Sequence, residues 1–241
     1  MNRTHRQTDD HDADYVPTIR EIRVAFDDEI APLSGRPSDV YEDDRRLFAR
    51  AVLPPMADVR LGDGLQAGVA LRAVGPTVLV HPYTFRQVCS NGAIAARALA
   101  TRYVARPRAL SVSAPAFQVE AALAEIREAV RGCAEPEVFR AVVAEMRTAA
   151  EIEADITIQL MPALRRLSPP LAARVQPRIV RQFRVGQDRT IFGLLNAVTR
   201  VAREERDPQD RWDIEELGGS MPARVGPPPT AAPPALVLAG R

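Results

Sequence analysis

"MADVRLGDGLQAGVALRAVGPTVLVHPYTFRQV" runs from Met56 to Val88. It contains three β-type runs, ADVRL, QAGVALRAV and TVLVHPYTF, separated by GDG and VGP. Glycine and proline at those breaks are turn signals, and the runs between them are short and rich in β-branched residues. Val69, Leu71 and Ala73 alternate with Ala70 and Arg72, the period of two that a pleated strand imposes. The spacing predicts an antiparallel meander over about 50–106.

Towards the N-terminus the pattern is less regular. SDVYEDDRRLFARAVLP reads as a helix start, with Ser38 as N-cap and Asp39 and Glu42 in the first turn. In PTIREIRVAF, Ile19, Ile22, Val24 and Phe26 suggest an early strand. Residues 1–16 are acidic and polar, the composition of a disordered lead-in. His5 and His11 lie there among Asp9, Asp10, Asp12 and Asp14, in a tail that offers no fixed ligand set.

Beyond the meander the period lengthens to that of helices. Val119, Leu123, Ile126 and Val130 form one stripe, and Val138, Val142, Val143, Met146 and Ala149 form a second. A third helix is expected over 153–161, interrupted at Pro162, and SPPLAARVQPRIV is broken by prolines. DRTIFGLLNAVTRVAREE is a helix with Asp188 as cap, and PQDRWDIEEL is a short last helix stopped by Gly218-Gly219. Residues 222–241 form a Pro/Ala tail. Strands followed by helices make the fold class α+β: one domain over 17–221, with strands about 17–106 and helices about 115–217.

Composition narrows the functional classes. The chain has 241 residues, 46% apolar, and a net charge of +1. All 32 basic residues are arginine, so lysine chemistry is absent: there is no Walker loop and no Schiff base. No secretory signal is visible, and no apolar run is long enough to span a bilayer. The two cysteines, Cys89 and Cys133, lie far apart in sequence with no motif spacing, which fits a cytoplasmic location without membrane contact. No metal motif and no dinucleotide fingerprint occurs, so neither a metal nor a cofactor is expected. The carboxylate pairs Asp43-Asp44 and Glu215-Glu216 read as solvated helix faces.

The arginines are unevenly spread. Six lie between Arg72 and Arg108 with no acid, and seven lie between Arg165 and Arg189 against Asp188 alone. Arg86, Arg97, Arg102, Arg106, Arg174, Arg178, Arg181 and Arg184 are the candidate nucleic-acid contacts. A basic face attracts phosphate backbones by releasing counterions. The competing reading scatters these arginines over several faces and pairs them with the acidic helices.

FRQVCSNGAIAARALA, Phe85 to Ala100, carries the most distinctive chemistry. A nucleophilic Cys89 would need a base, and His81 is the only histidine outside the lead-in. Asn91 could complete such a set, but a buried cysteine beside an Asn91-Gly92 turn accounts for the same residues. With Asn91-Gly92 at a bend, the corner is expected to approach Asn196, Thr199 and Arg200 on the late helix, where Asn196 and Thr199 interrupt an apolar pattern.

GVALRAVGPTVLVHPYTFRQVCSNGAI resembles the phage- and plasmid-like domain-of-unknown-function family 932, through Arg86, Val88, Cys89, Ser90, Asn91 and Gly92. Asn196, Ala197, Val198 and Thr199 resemble that family's C-terminal N-A-[IV]-T core. The resemblance spans roughly 20–219 and implies a mobile-element setting without a defined reaction. The expectation is a non-enzymatic, nucleic-acid-associated accessory protein of replication or recombination, with DNA or RNA as partner. The alternatives are an enzyme with a small polar site around Cys89, Asn91 and Asn196, and a structural or protein-interaction module.

Overall fold

A computed structural model describes residues 17–222 apart from 76, 87–90, 96–101 and 106–114. The elements run α1 (Ile19–Ile30), β1 (Arg36–Glu42), β2 (Arg46–Arg60), β3 (Asp63–Val74), β4 (Thr77–Arg86), β5 (Asn91–Ile94) and β6 (Arg102–Ala105). Helices follow: α2 (Pro115–Cys133), α3 (Pro136–Ala149), α4 (Ile156–Leu164), α5 (Pro169–Val185), α6 (Ile191–Arg203) and α7 (Pro208–Gly219). The fold is α+β. The sequence lead-in and the Pro/Ala tail fall outside the described residues, except Pro222.

The six strands form one antiparallel sheet in the order β1-β2-β3-β4-β5, and β6 pairs β4 beside Thr77–Val80. β5 pairs the other end of β4, with Tyr83 opposite Ile94 and Arg86 opposite Asn91. Both faces of the sheet are covered. Leu47, Ala49, Ala51 and Leu53 point to one face with Val69, Leu71, Val78 and Val80, under Phe26 of α1 and Ile126 of α2. Phe48, Val52, Ala70 and Tyr83 point to the other, under Trp212 of α7. Each central strand therefore buries both sides, which makes runs such as LFARAVL nearly continuously apolar. Helices α3 to α6 share a further core with Val59 and Leu65 at the β2–β3 end and Ala93 of β5.

Two N-terminal expectations are overturned. The early strand is helix α1. Thr18 and Glu21 form a capping box, in which the Thr18 hydroxyl accepts from the Glu21 amide at 3.2 Å and the Glu21 carboxylate accepts from the Thr18 amide at 2.8 Å. Ile19, Ile22, Phe26 and Ile30 share the buried stripe, whereas Val24, which the alternating reading needed inside, is 50% exposed. The helix expected from Ser38 is instead the β1–β2 hairpin. Asp43 organises its turn by accepting from the amides of Arg45 at 2.9 Å and Arg46 at 2.8 Å, an Asx-type turn. Those bonds, the Arg45 amide first, with the Arg46 and Tyr41 side chains, hold the Asp43 carboxyl down at about 2 and together outweigh the opposing effect of desolvation.

The C-terminal half differs in detail. The proline-broken segment is a single helix, α5. Pro169 and Pro170 occupy its first turn, where no amide donor is needed, and Pro177 is carried inside it while Leu171, Val175, Ile179 and Phe183 bury one side. Pro162 likewise lies within the last turn of α4. The cap of α6 is Thr190, which accepts from the Gly193 amide at 3.2 Å; Asp188 holds that cap by accepting from the Thr190 hydroxyl at 2.6 Å. Gly218 and Gly219 do more than end α7. A Cβ on Gly219 would lie 1.8 Å from the Ile94 carbonyl oxygen, so glycine allows α7 to touch the β5 backbone.

Candidate functional site

The described residues form one sizeable cleft, about 350 Å³, between the end of β4, the C-terminal turns of α5 and one side of α6. Its floor is Gly193, Asn196, Ala197 and Arg200, at helical positions i, i+3, i+4 and i+7. Most of the rest of α6 is apolar and buried, from Ile191, Phe192, Leu194 and Leu195 through Val198, Val201 and Ala202. A stripe of two small and two polar residues on such a helix leaves a trough where a core residue would otherwise fill space. At Gly193 that space is taken by Asp188, whose carbonyl oxygen lies 2.3 Å from where a Cβ would stand, so the trough opens from Ala197 towards Arg200.

Arg86 forms one wall. Its guanidinium forks onto Asp63, Nε to Oδ1 at 2.5 Å and Nη2 to Oδ2 at 2.6 Å, and lies 5.5 Å over the Phe192 ring. On the opposite side Arg189 ties the end of α5, donating to the Phe183 carbonyl at 2.5 Å and the Arg184 carbonyl at 3.0 Å. Its guanidinium stacks 5.6 Å from the Phe183 ring. Asp188 sits at the lip and accepts from Arg60 at 2.8 Å. Burial pushes its carboxyl up, but the Thr190 hydrogen bonds and the Arg60 charge outweigh this and hold it below the usual range.

The remaining polar groups have no such partners. The side-chain amides of Gln182, Gln187 and Asn196 make no hydrogen bond within the described residues, and Arg200 has no acidic partner there. The cleft therefore holds two neutralised ion pairs at its edges and three open carboxamides with one open guanidinium between them.

Several residues singled out in the sequence converge here. Arg86 and Gly92 line a smaller inner void together with Thr84, Asn196 and Thr199. Arg86 and Asn196 border both spaces, so the R-x-V-C-S-N-G and N-A-V-T segments meet. Thr199 is buried and donates to the Asn196 carbonyl at 3.3 Å, which spends its hydroxyl within the helix. The Asn91-Gly92 bend is corrected: both residues already belong to β5, opposite Arg86 and Phe85. Gly92 is required because the Tyr83 hydroxyl lies 1.7 Å from where its Cβ would stand. Cys89 and Ser90 lie outside the described residues, as do Arg97 and Arg106. Arg102 lies in β6, opposite Val80.

The candidate nucleic-acid arginines divide. Arg174 is bonded to Glu205 at 2.8 Å and to Asp210 at 2.6 Å. Arg178 is paired with Glu204 at 3.0 Å and also with Glu205. Arg174 and Arg178 are engaged by Glu204 and Glu205, which follow the last turn of α6, and by Asp210 in the first turn of α7, whereas Arg86 is engaged by Asp63 of β3. Arg181 and Arg184 are exposed, with no acidic partner among the described residues. Gln182, Gln187 and Ala197 add to the site the sequence had suggested; for Ala197 the available signal was the small-polar spacing from Gly193 to Arg200, and for the two glutamines there was none.

A second polar cluster lies away from the cleft and corrects the reading of Glu215. That residue is 1% exposed, not solvated. It accepts from Arg50 at 2.7 Å and from Arg211 at 2.9 Å. Asp39 closes the ring, 3.2 Å from Arg50 and 2.9 Å from Arg211. Beside it the Trp212 ring receives Arg50 at 5.4 Å and Arg72 at 5.7 Å. No three His, Cys, Asp or Glu side chains group as a metal site would need among the described residues, and no helix there is long and apolar enough to cross a membrane. Family models, curated proteins and solved structures contain no match to this chain.

Proposed function

We propose that this protein binds nucleic acid as a cytoplasmic accessory factor, through the surface formed by the C-terminal half of α5 and the adjoining cleft. The observation that carries the reading is the change along α5. Arg174 and Arg178 are neutralised by Glu204, Glu205 and Asp210, whereas Arg181, Arg184 and, across the cleft, Arg200 have no acid within the described residues. Unpaired guanidiniums are suited to phosphate, being permanently charged and forked. The resemblance of the Arg86–Gly92 and Asn196–Thr199 segments to a phage- and plasmid-like family supplies the setting, in replication, recombination or host takeover.

Fluorescence anisotropy with labelled single- and double-stranded DNA and RNA, over a salt series, tests the proposal. Binding is expected to weaken steeply with salt. Replacing Arg181 and Arg184 together by glutamate is expected to lower affinity at least about tenfold and to flatten the salt dependence by about one to two phosphate contacts. The reading fails if the intact protein binds none of these probes, or if its binding is indifferent to salt.

A further inference from the structure

We infer that the cleft between α5 and α6 is a pocket for one nucleotide unit, with carboxamides addressing the base and Arg200 its phosphate. The inference deepens the nucleic-acid reading and rests on it for the ligand class, but its evidence is separate. It comes from the cleft's shape and open hydrogen-bonding groups, not from the exposed arginines of α5.

Three features select the class. The volume, about 350 Å³, falls in the range of small-ligand pockets and admits a base with its sugar phosphate. Ala197, with a single methyl group, keeps the floor low, so a flat ring can approach α6 beside Asn196, while Asp188 covers Gly193 and closes that end of the floor. The open groups are of two kinds. Asn196, Gln182 and Gln187 each offer a donor and an acceptor side by side, which matches the edge of a heteroaromatic base. Arg200 offers a forked cation one turn from Asn196, roughly 5–6 Å away between Cβ atoms, a separation that a base and its own phosphate can span.

The other groups on the walls are already committed, and this sharpens the assignment. Arg86 is held by Asp63, and Asp188 by Arg60 and Thr190, so these pairs form rigid, nearly neutral edges. A highly charged ligand such as a polyphosphate would find one open cation beside the Asp188 carboxylate. A nucleotide carrying one phosphate fits that balance better. Since a carboxamide can present either end to a partner, several bases can be accommodated.

Calorimetric titration with free nucleoside monophosphates and with ribose 5-phosphate, alongside anisotropy with an intact oligonucleotide and its abasic counterpart, tests the pocket. Mononucleotides are expected to bind saturably and more tightly than ribose phosphate. The abasic oligonucleotide is expected to bind more weakly than the intact one. Asn196→Ala is expected to lower mononucleotide affinity at least tenfold and to remove the preference for the intact oligonucleotide; Gln187→Ala, on the exposed rim, gives a smaller loss in the same direction. Equal binding of intact and abasic oligonucleotides, with no mononucleotide binding, overturns the pocket while leaving the α5 surface standing. Mononucleotide binding without oligonucleotide binding supports the pocket and overturns the surface. Binding of neither overturns both.

Discussion

The junction of α7 with the sheet and the cleft between α5 and α6 use the same kinds of side chain to opposite ends. At the junction Asp39, Arg50, Glu215 and Arg211 form a closed ring of two acids and two bases, in which the buried Nη2 group of Arg50 is left without a hydrogen bond. In the cleft the paired groups stand at the edges, and the open ones, Asn196, Gln182, Gln187 and Arg200, face the space between. Charges removed from water cost several kcal/mol each unless they are paired and hydrogen-bonded. Closed polar groups therefore fix the register of α7 on β1 and β2, whereas open ones in a cleft retain their capacity for water or a ligand.

The sharpest way to break this contrast is to open the closed ring. Glu215→Ala leaves Arg50, which is 1% exposed, facing Asp39 alone. The expected loss is about 3–5 kcal/mol of folding stability, as for other buried pairs deprived of one partner. Replacing Arg50 by Met and Glu215 by Leu together is expected to recover most of that loss, because no uncompensated charge remains. Urea unfolding of the protein and of the two variants measures both. A single-variant loss under about 1 kcal/mol would mean that water reaches the ring and that it is not closed.

Acid should attack the junction before it affects the cleft. His81 packs 5.7 Å from Trp212. Burial, with a smaller contribution from the Arg72 charge, pushes its imidazole down to about 3. The unfolded chain regains an ordinary imidazole near 6.5, so between about pH 6.5 and 3 it binds a proton that the folded protein does not. Stability therefore falls as pH falls through that window, by up to about 1.4 kcal/mol per pH unit, or about 2 kcal/mol from pH 7 to 5. Denaturant midpoints at the two pH values, for the protein and for His81→Gln, isolate the effect. Equal pH dependence in both would remove His81 as its source.

The same contrast explains what could be read from the sequence. The meander was legible because turn residues at 62–64 and 74–76 bound runs of regular period. Helix α1 was misread because Val24 happens to complete an alternation, although Thr18 and Glu21 already spelled a capping box. Pro177 hid α5, since a proline inside a helix is tolerated only where packing outweighs the lost bond, and packing is not visible in one chain. The meeting of Arg86 and Gly92 with Asn196 and Thr199 was anticipated, because a polar pair on an apolar helix needs a reason. The partners of Glu215 were hidden for a different cause. Arg50 lies 165 residues away on β2, Asp39, which closes the ring onto both arginines, lies on β1, and only on α7 itself, at Arg211, was an i, i+4 contact available to suggest pairing.

The smallest expected effect lies at Asn196, and it tests the open side of the contrast. If its amide is unbonded in the folded protein, removing it discards no internal hydrogen bond. Asn196→Ala then exchanges a weak helix former for the strongest one, a gain of about half a kcal/mol, against a modest loss of side-chain contact. The net change is expected within about 0.5 kcal/mol of zero, an order of magnitude below the effect of opening the Glu215 ring. Groups kept ready for a ligand are often neutral or costly for stability, since selection retains them for binding. Thermal and urea unfolding of the variant, without added nucleotide, measure the quantity directly. A loss above about 1.5 kcal/mol, the size expected when a buried hydrogen bond is broken, would show that Asn196 is a structural lock between α6 and the end of β4. The cleft would then resemble the junction, with its polar groups already spent on the fold.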